Sequence, residues 1–183
     1  MAKPTQLAHV AYKTRNIDAM IEWYGTVLET DVRFHSPPLV FLSFDDEHHR
    51  IALANLAVLD PDGATLENDK STALHTAYTF ASAGDLLENY ARIKAQEIEP
   101  AYCIHHGPTL SMYYVDPDGN HIECQVDVYE TAEEANEFMH GEFFTKNPIG
   151  VKYDPDELLE RYRQGADDKE LLKYHPEAEV FGV

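Results

Sequence analysis

The chain has 183 residues, 44% of them apolar, which suits one domain or two small modules sharing a core. Its formal charge is −19, from 33 acidic and 14 basic residues. Such a surface repels phosphate backbones and anionic lipid heads, which argues against nucleic-acid and membrane partners.

No apolar run approaches the roughly 20 residues that span a bilayer, and Met1 to Gln6 carries no apolar signal region. The two cysteines, Cys103 and Cys124, make no disulfide framework, so a reducing cytoplasm is the expected location. Cys124 alternates with Glu123 and reads as a small core residue rather than a nucleophile.

The first elements repeat later in the chain. His9-Val-Ala-Tyr12 is matched by His75-Thr-Ala-Tyr78, at an offset of 75 − 9 = 66. At the same offset Glu22 matches Glu88 and Tyr24 matches Tyr90. An alternating strand with Leu7, His9 and Ala11 on one face opens the first half. A helix over about Asn16 to Leu28 follows, with Ile17, Met20, Ile21, Tyr24 and Leu28 at helical spacing and Asn16 as its cap. Strands are expected at Asp31–His35, Val40–Phe44 and Arg50–Ala57. The polar, turn-rich stretch from Asp60 to Thr72 reads as a link.

The second half opens on the strand of His75 and Ala77. It continues with a helix over about Ala83 to Gln96 capped by Ser82, and strands at Ala101–His105, Leu110–Val115 and His121–Val128. Asp116-Pro-Asp-Gly-Asn120 is a hairpin signal, because Pro presets one turn dihedral and Gly or Asn accepts positive φ. The expected fold is therefore α+β, one domain of paired βαβββ modules at about 5–58 and 72–129. An extension over 130–183 holds a helix near Glu130–Met139 and another opened by Asp154 and Pro155. Phe138, Phe143, Phe144 and Leu158 need cover there, so this tail is expected to lie on the modules.

Ten histidines invite the question of which ones the fold gathers. His9 and His75 occupy equivalent positions on equivalent strands. If the modules pair with approximate two-fold symmetry, their imidazoles face each other, and Glu123 on the last strand would share that face. Two imidazoles and one carboxylate with other positions open is the arrangement of non-haem Fe(II) sites that activate oxygen. Aligning Ile51 with Ile122, an offset of 71, sets Ala52 opposite Glu123, so no fourth ligand is offered there. The plain alternative is a polar core cluster without metal.

The stretches Leu7-Ala-His-Val10, Glu47-His-His-Arg-Ile-Ala-Leu53, Leu74-His75, His106 through Glu123, and Asn147-Pro-Ile-Gly-Val151 with Asp154-Pro155 occur in this order. Together they resemble the vicinal oxygen chelate superfamily, which unites glyoxalases, bleomycin-resistance proteins and dioxygenases. Within it they are similar to one-domain type I extradiol dioxygenases acting on catechols such as 2,3-dihydroxybiphenyl.

The resemblance implies His9, His75 and Glu123 as ligands of Fe(II), or less often Mn(II). It implies His49 as the residue that handles protons and steadies dioxygen, and Tyr113 and His106 as substrate-orienting groups. The loop between His106 and Tyr113 is short, which leaves His105 as an alternative to His106. The implied partners are a catechol and O2, in a homo-oligomer. The rival readings are a glyoxalase-like isomerase or transferase, against which Ala52 counts, and a non-catalytic module that binds a small aromatic.

Overall fold

The computed structural model describes residues 7, 9–63 and 74–181, which form two compact units. The expected link falls largely outside the described residues, as do Ala8 and the first six residues.

Unit 1 comprises β1 (Val10–Thr14), α1 (Ile17–Val27), β2 (Asp31–His35), β3 (Leu39–Ser43), β4 (Ile51–Asn55) and a short α2 (Leu56–Leu59). The sheet order is β1-β4-β3-β2, with β1 parallel to β4 and the other pairs antiparallel. Ile51, Leu53, Val40 and Leu42 alternate onto one face and are fully buried with Met20, Tyr24 and Val27 of α1. Cross-strand partners on the other face form a row, Ala11–Ala52–Phe41–Phe34.

Three details depart from expectation. β1 opens at Val10, leaving Leu7 and His9 ahead of it, and β4, expected over Arg50–Ala57, stops at Asn55, where α2 follows instead. Asn55 causes that stop, because its side chain accepts from the Ala57 N–H and caps α2. Asn16 does stand at the cap position of α1, but its side chain makes no cap bond. It donates to Asp118 instead.

Unit 2 comprises β5 (Thr76–Thr79), α3 (Ala83–Lys94), β6 (Tyr102–His105), β7 (Thr109–Val115), β8 (His121–Asp127), α4 (Ala132–Met139), α5 (Glu142–Lys146), β9 (Val151–Lys152), α6 (Pro155–Arg163) and α7 (Asp168–Leu171). The sheet order is β5-β8-β7-β6-β9. Ile122, Cys124, Val126, Met112 and Tyr114 are buried on the face that α3 covers through Leu86, Leu87, Tyr90 and Ile93. The opposite face carries the row Ala77–Glu123–Tyr113–Tyr102.

The tip Asp116–Asn120 groups with unit 1, where Tyr24 donates its phenol proton to Asp116. Asp116 also accepts from the N–H groups of Asp118 and Asn120, which closes the turn as its sequence implies.

In the extension, Thr131 and Glu134 build a capping box for α4, and Asp154 caps α6 with Pro155 in the first turn. Leu158 and Leu159 are buried, but Phe143 is 57% exposed, so the expected cover does not reach it. β9 adds to the free edge of β6, and Val180 bridges Val151 beyond it. Among the described residues, no helix is long and apolar enough to cross a membrane.

Candidate active site

The expected site residues divide between the two units. In unit 2, His75 stands just before β5, and Glu123 lies in β8 directly across from Ala77, two residues beyond His75. His75 Nε2 is 3.0 Å from Glu123 Oε2. The Glu123 side chain is 5% exposed, and a buried carboxylate needs a partner.

Tyr113, directly across from Glu123 in β7, is set edge-on to the His75 ring with centroids 5.4 Å apart. Burial raises the Tyr113 pKa first, and the Glu123 charge adds to it, so the phenol stays protonated and is a donor.

His106 and His105 part company at the end of β6. His106 Nε2 is 3.0 Å from the Tyr113 hydroxyl, while His106 Nδ1 donates to the Ile149 carbonyl. A carbonyl only accepts, so Nδ1 carries the proton and Nε2 accepts from Tyr113. Burial lowers the His106 pKa, so this ring is neutral near pH 7. His105 points into the core. Its Nδ1 accepts from the Gly107 N–H, and its Nε2 donates to the Leu172 carbonyl at 3.0 Å. Of the two, His106 is the one that meets Tyr113.

In unit 1, the His49 ring lies 4.4 Å from that of His9 and stacks on Phe41 at 4.3 Å with a 12° interplanar angle. Its loop is held by Asp45, which accepts from Arg50 Nε, the Glu47 N–H and Ser43 Oγ. Burial lowers the His49 pKa, and the neighbouring imidazoles of His9 and His48 lower it further. His49 is therefore an unprotonated imidazole near neutrality, suited to proton transfer. His48 points outward, with its side chain 74% exposed.

Among the described residues, no three His, Cys, Asp or Glu side chains form a metal-binding group on their own. The donor chemistry of unit 2 nevertheless fits a divalent transition metal. An octahedral cation with bonds of about 2.1 Å holds neighbouring donors about 3.0 Å apart, which is the His75–Glu123 separation.

The strand registers also bear on ligand number. Ala11 pairs Ala52 in one sheet and Ala77 pairs Glu123 in the other, so Ala52 is the structural equivalent of Glu123. By the same comparison Phe41 is the equivalent of Tyr113, since each faces that position from the next strand.

Sequence reasoning missed three features: the Phe41 stack on His49, the Tyr102 ring stacked 4.5 Å from Tyr113, and the Ile149 carbonyl on His106. Alternation in Ala101–His105 would have found Tyr102. A backbone carbonyl leaves no side-chain signal.

The family model of the Glyoxalase/Bleomycin resistance protein/Dioxygenase superfamily matches residues 6–124. The chain belongs to that superfamily. A Rhodococcus globerulus protein named biphenyl-2,3-diol 1,2-dioxygenase 3 is 40% identical over 173 residues, covering 93% of this chain and 89% of its own. Biphenyl-2,3-diol 1,2-dioxygenase 2 from the same organism is 42% identical over 156 residues, covering 85% and 80%. Among solved structures, lactoylglutathione lyase from Agrobacterium tumefaciens superposes with a TM-score of 0.54 at 20% identity, covering 68% of this chain and 96% of that one. The fosfomycin resistance protein FosX from Listeria monocytogenes gives 0.52 at 18% identity, covering 73% and 99%. These two likenesses bear on the fold alone.

Proposed function

We propose that this superfamily member is a metal-dependent extradiol dioxygenase, which opens a catechol ring beside its two hydroxyls with O2. The substrate would be of the 2,3-dihydroxybiphenyl type. The relatives named biphenyl-2,3-diol 1,2-dioxygenases support the reaction class. The observation that carries the site is the unequal pair of rows. Ala77–Glu123–Tyr113 offers a carboxylate and a phenol where Ala11–Ala52–Phe41 offers neither. One carboxylate with two imidazoles leaves positions open for a chelating diol and a gas, whereas a glyoxalase-like isomerase on this fold would use a fourth ligand at Ala52.

In this reading His9, His75 and Glu123 hold the metal, Fe(II) by preference and Mn(II) as the alternative. Once bound, it would acidify the diol and gather both reactants in one place. Tyr113, kept neutral by burial and by Glu123, donates a hydrogen bond to a substrate oxygen. Once Tyr113 turns its proton from His106 to the substrate oxygen, the His106 Nε2 that had accepted it has a free lone pair on the same side and accepts a proton from a substrate hydroxyl. His49, neutral and backed by Phe41, takes up a proton and returns it as the ring opens. Cys103 and Cys124 are free and buried, in keeping with a reducing cytoplasm.

The test is anaerobic loading with Fe(II) or Mn(II), followed by oxygen uptake and absorbance with a panel of catechols. Stoichiometric O2 consumption with a yellow ring-opened product is expected for at least one aryl catechol. Isomerase activity on a thiol adduct without oxygen uptake would replace this reading. Light scattering on the same preparation tests the expected homo-oligomer.

A further inference from the structure

Asn147-Pro148-Ile149-Gly150 has no part in the reaction as described, yet it is tied down tightly beside His106. Asn147 Nδ2 donates to the Gly150 carbonyl at 2.8 Å, and the Gly150 N–H donates to Asn147 Oδ1 at 3.0 Å. The side-chain amide thus acts as one rung of a ladder and closes the loop on itself. The Asn147 N–H is anchored to the Phe143 carbonyl at 3.0 Å, and the Gly150 carbonyl accepts a second bond from the Phe181 N–H at 3.2 Å.

Gly150 has φ +111°, and a Cβ there would run into the His105 carbonyl and lie 2.8 Å from His106 Cα. Glycine is what lets this loop approach the end of β6 so closely. The outcome of the closure is that the Ile149 carbonyl meets His106 Nδ1.

We propose that Asn147 is a positioning residue: by closing the 147–150 loop it aims the Ile149 carbonyl at His106 and sets which imidazole nitrogen faces Tyr113 as an acceptor. Free histidine favours the proton on Nε2. In that form His106 would donate towards Tyr113 and have no lone pair for a substrate proton. The carbonyl reverses the preference, giving one direction to the whole chain: Tyr113 O–H to His106 Nε2, and His106 Nδ1–H to Ile149 O. A hydrogen bond to the far nitrogen is the usual means of fixing a working histidine's tautomer. The effect on turnover rests on the dioxygenase reading, whereas the proton's place on His106 does not.

The experiment reads the tautomer directly. Histidine-labelled protein without metal gives two-bond 15N–1H correlations, and the His106→Gln spectrum identifies the His106 signals. In the parent, His106 is expected with its proton on Nδ1, and a proton on Nε2 would overturn the proposal whatever the activity. Asn147→Ala removes both loop bonds, while Asn147→Asp keeps the acceptor for the Gly150 N–H and loses the donor. Both variants should shift His106 towards the Nε2–H form. Should Asn147→Ala fail to fold, Asn147→Asp decides alone. An unshifted His106 in every folded variant rejects the role of Asn147.

On Fe(II)-loaded enzyme, kcat should fall about 10–100-fold in these variants with KM little changed. If no catechol is turned over by the parent, the function reading fails and the tautomer result still stands or falls by itself.

Discussion

His105 and His106 are chain neighbours with opposite tautomers, because each imidazole is told where to keep its proton by the backbone group it meets. His105 donates to Leu172 and accepts from Gly107, and burial pushes its pKa down to about 4. The folded form therefore binds its proton less readily than the unfolded chain does, and stability must rise with pH across that interval. The His105 contribution is complete above about pH 6.5 and fades as the pH falls towards 4, on the order of 3 kcal/mol in all. Urea midpoints of the parent and His105→Gln should differ at pH 7 and converge by about pH 4.5. Parallel curves would remove His105 from the acid response.

His49 belongs to the chemistry instead. His49→Ala should retain metal and still bind catechol, with turnover lower by roughly 10²–10⁴. Metal analysis, catechol titration and oxygen uptake separate these effects, and undiminished turnover would show that another group moves the proton.

At the scale of elements, the register of two parallel strand pairs does most to define the site. Because Ala52 and Glu123 are equivalent, Ala52→Glu should offer a fourth ligand, a second carboxylate, to the proposed metal. Four protein ligands leave two octahedral positions, too few for a chelating diol and dioxygen together. The folded, metal-loaded variant should bind metal at least as well as the parent and consume oxygen far more slowly. Parental rates, with the new carboxylate seen on the metal, would refute the open-position argument.

This equivalence was legible in the sequence because a strand pair transmits register with period two, so the repeated His9 and His75 carry Ala11 and Ala77 along with them. The helices were legible for a similar reason, through apolar spacing and the caps at Ser82 and Asp154. The α5 helix and β9 were not. Each is too short to show a period, and β9 exists because the open edge of β6 recruits it. Asn147 was visible only as the first residue of a stretch shared with the family, since its role depends on a carbonyl two residues away.

For the whole molecule the excess of acid is the dominant fact. Four of the cations are held by carboxylates: Lys94 by Asp156, Lys152 by Glu179, Lys146 by Glu142 and Arg50 by Asp45. With a net charge of −19, self-repulsion should outweigh such exposed pairs. Raising NaCl from about 20 to 200 mM, which shortens the screening length several-fold in dilute buffer, should lift Tm by roughly 2–4 °C. A Tm lowered by salt would mean that the ion pairs dominate.

The edge of β6 has a further consequence, for the order of events during synthesis. Unit 1 gathers its four strands from residues before Leu56, and beyond residue 73 it takes in only the turn tip at Asp116–Asn120. Unit 2 is different. Its sheet reaches its fifth strand only when Val151 and Lys152 arrive, and Val180 then seals that strand in turn. While those residues are still inside the ribosome, β6 presents a row of open N–H and C=O groups to any strand that passes. A nascent chain with unit 1 folded and unit 2 waiting is therefore the species most exposed to mispairing. An arrest at about residue 150 should be far more prone to aggregation than release of all 183 residues.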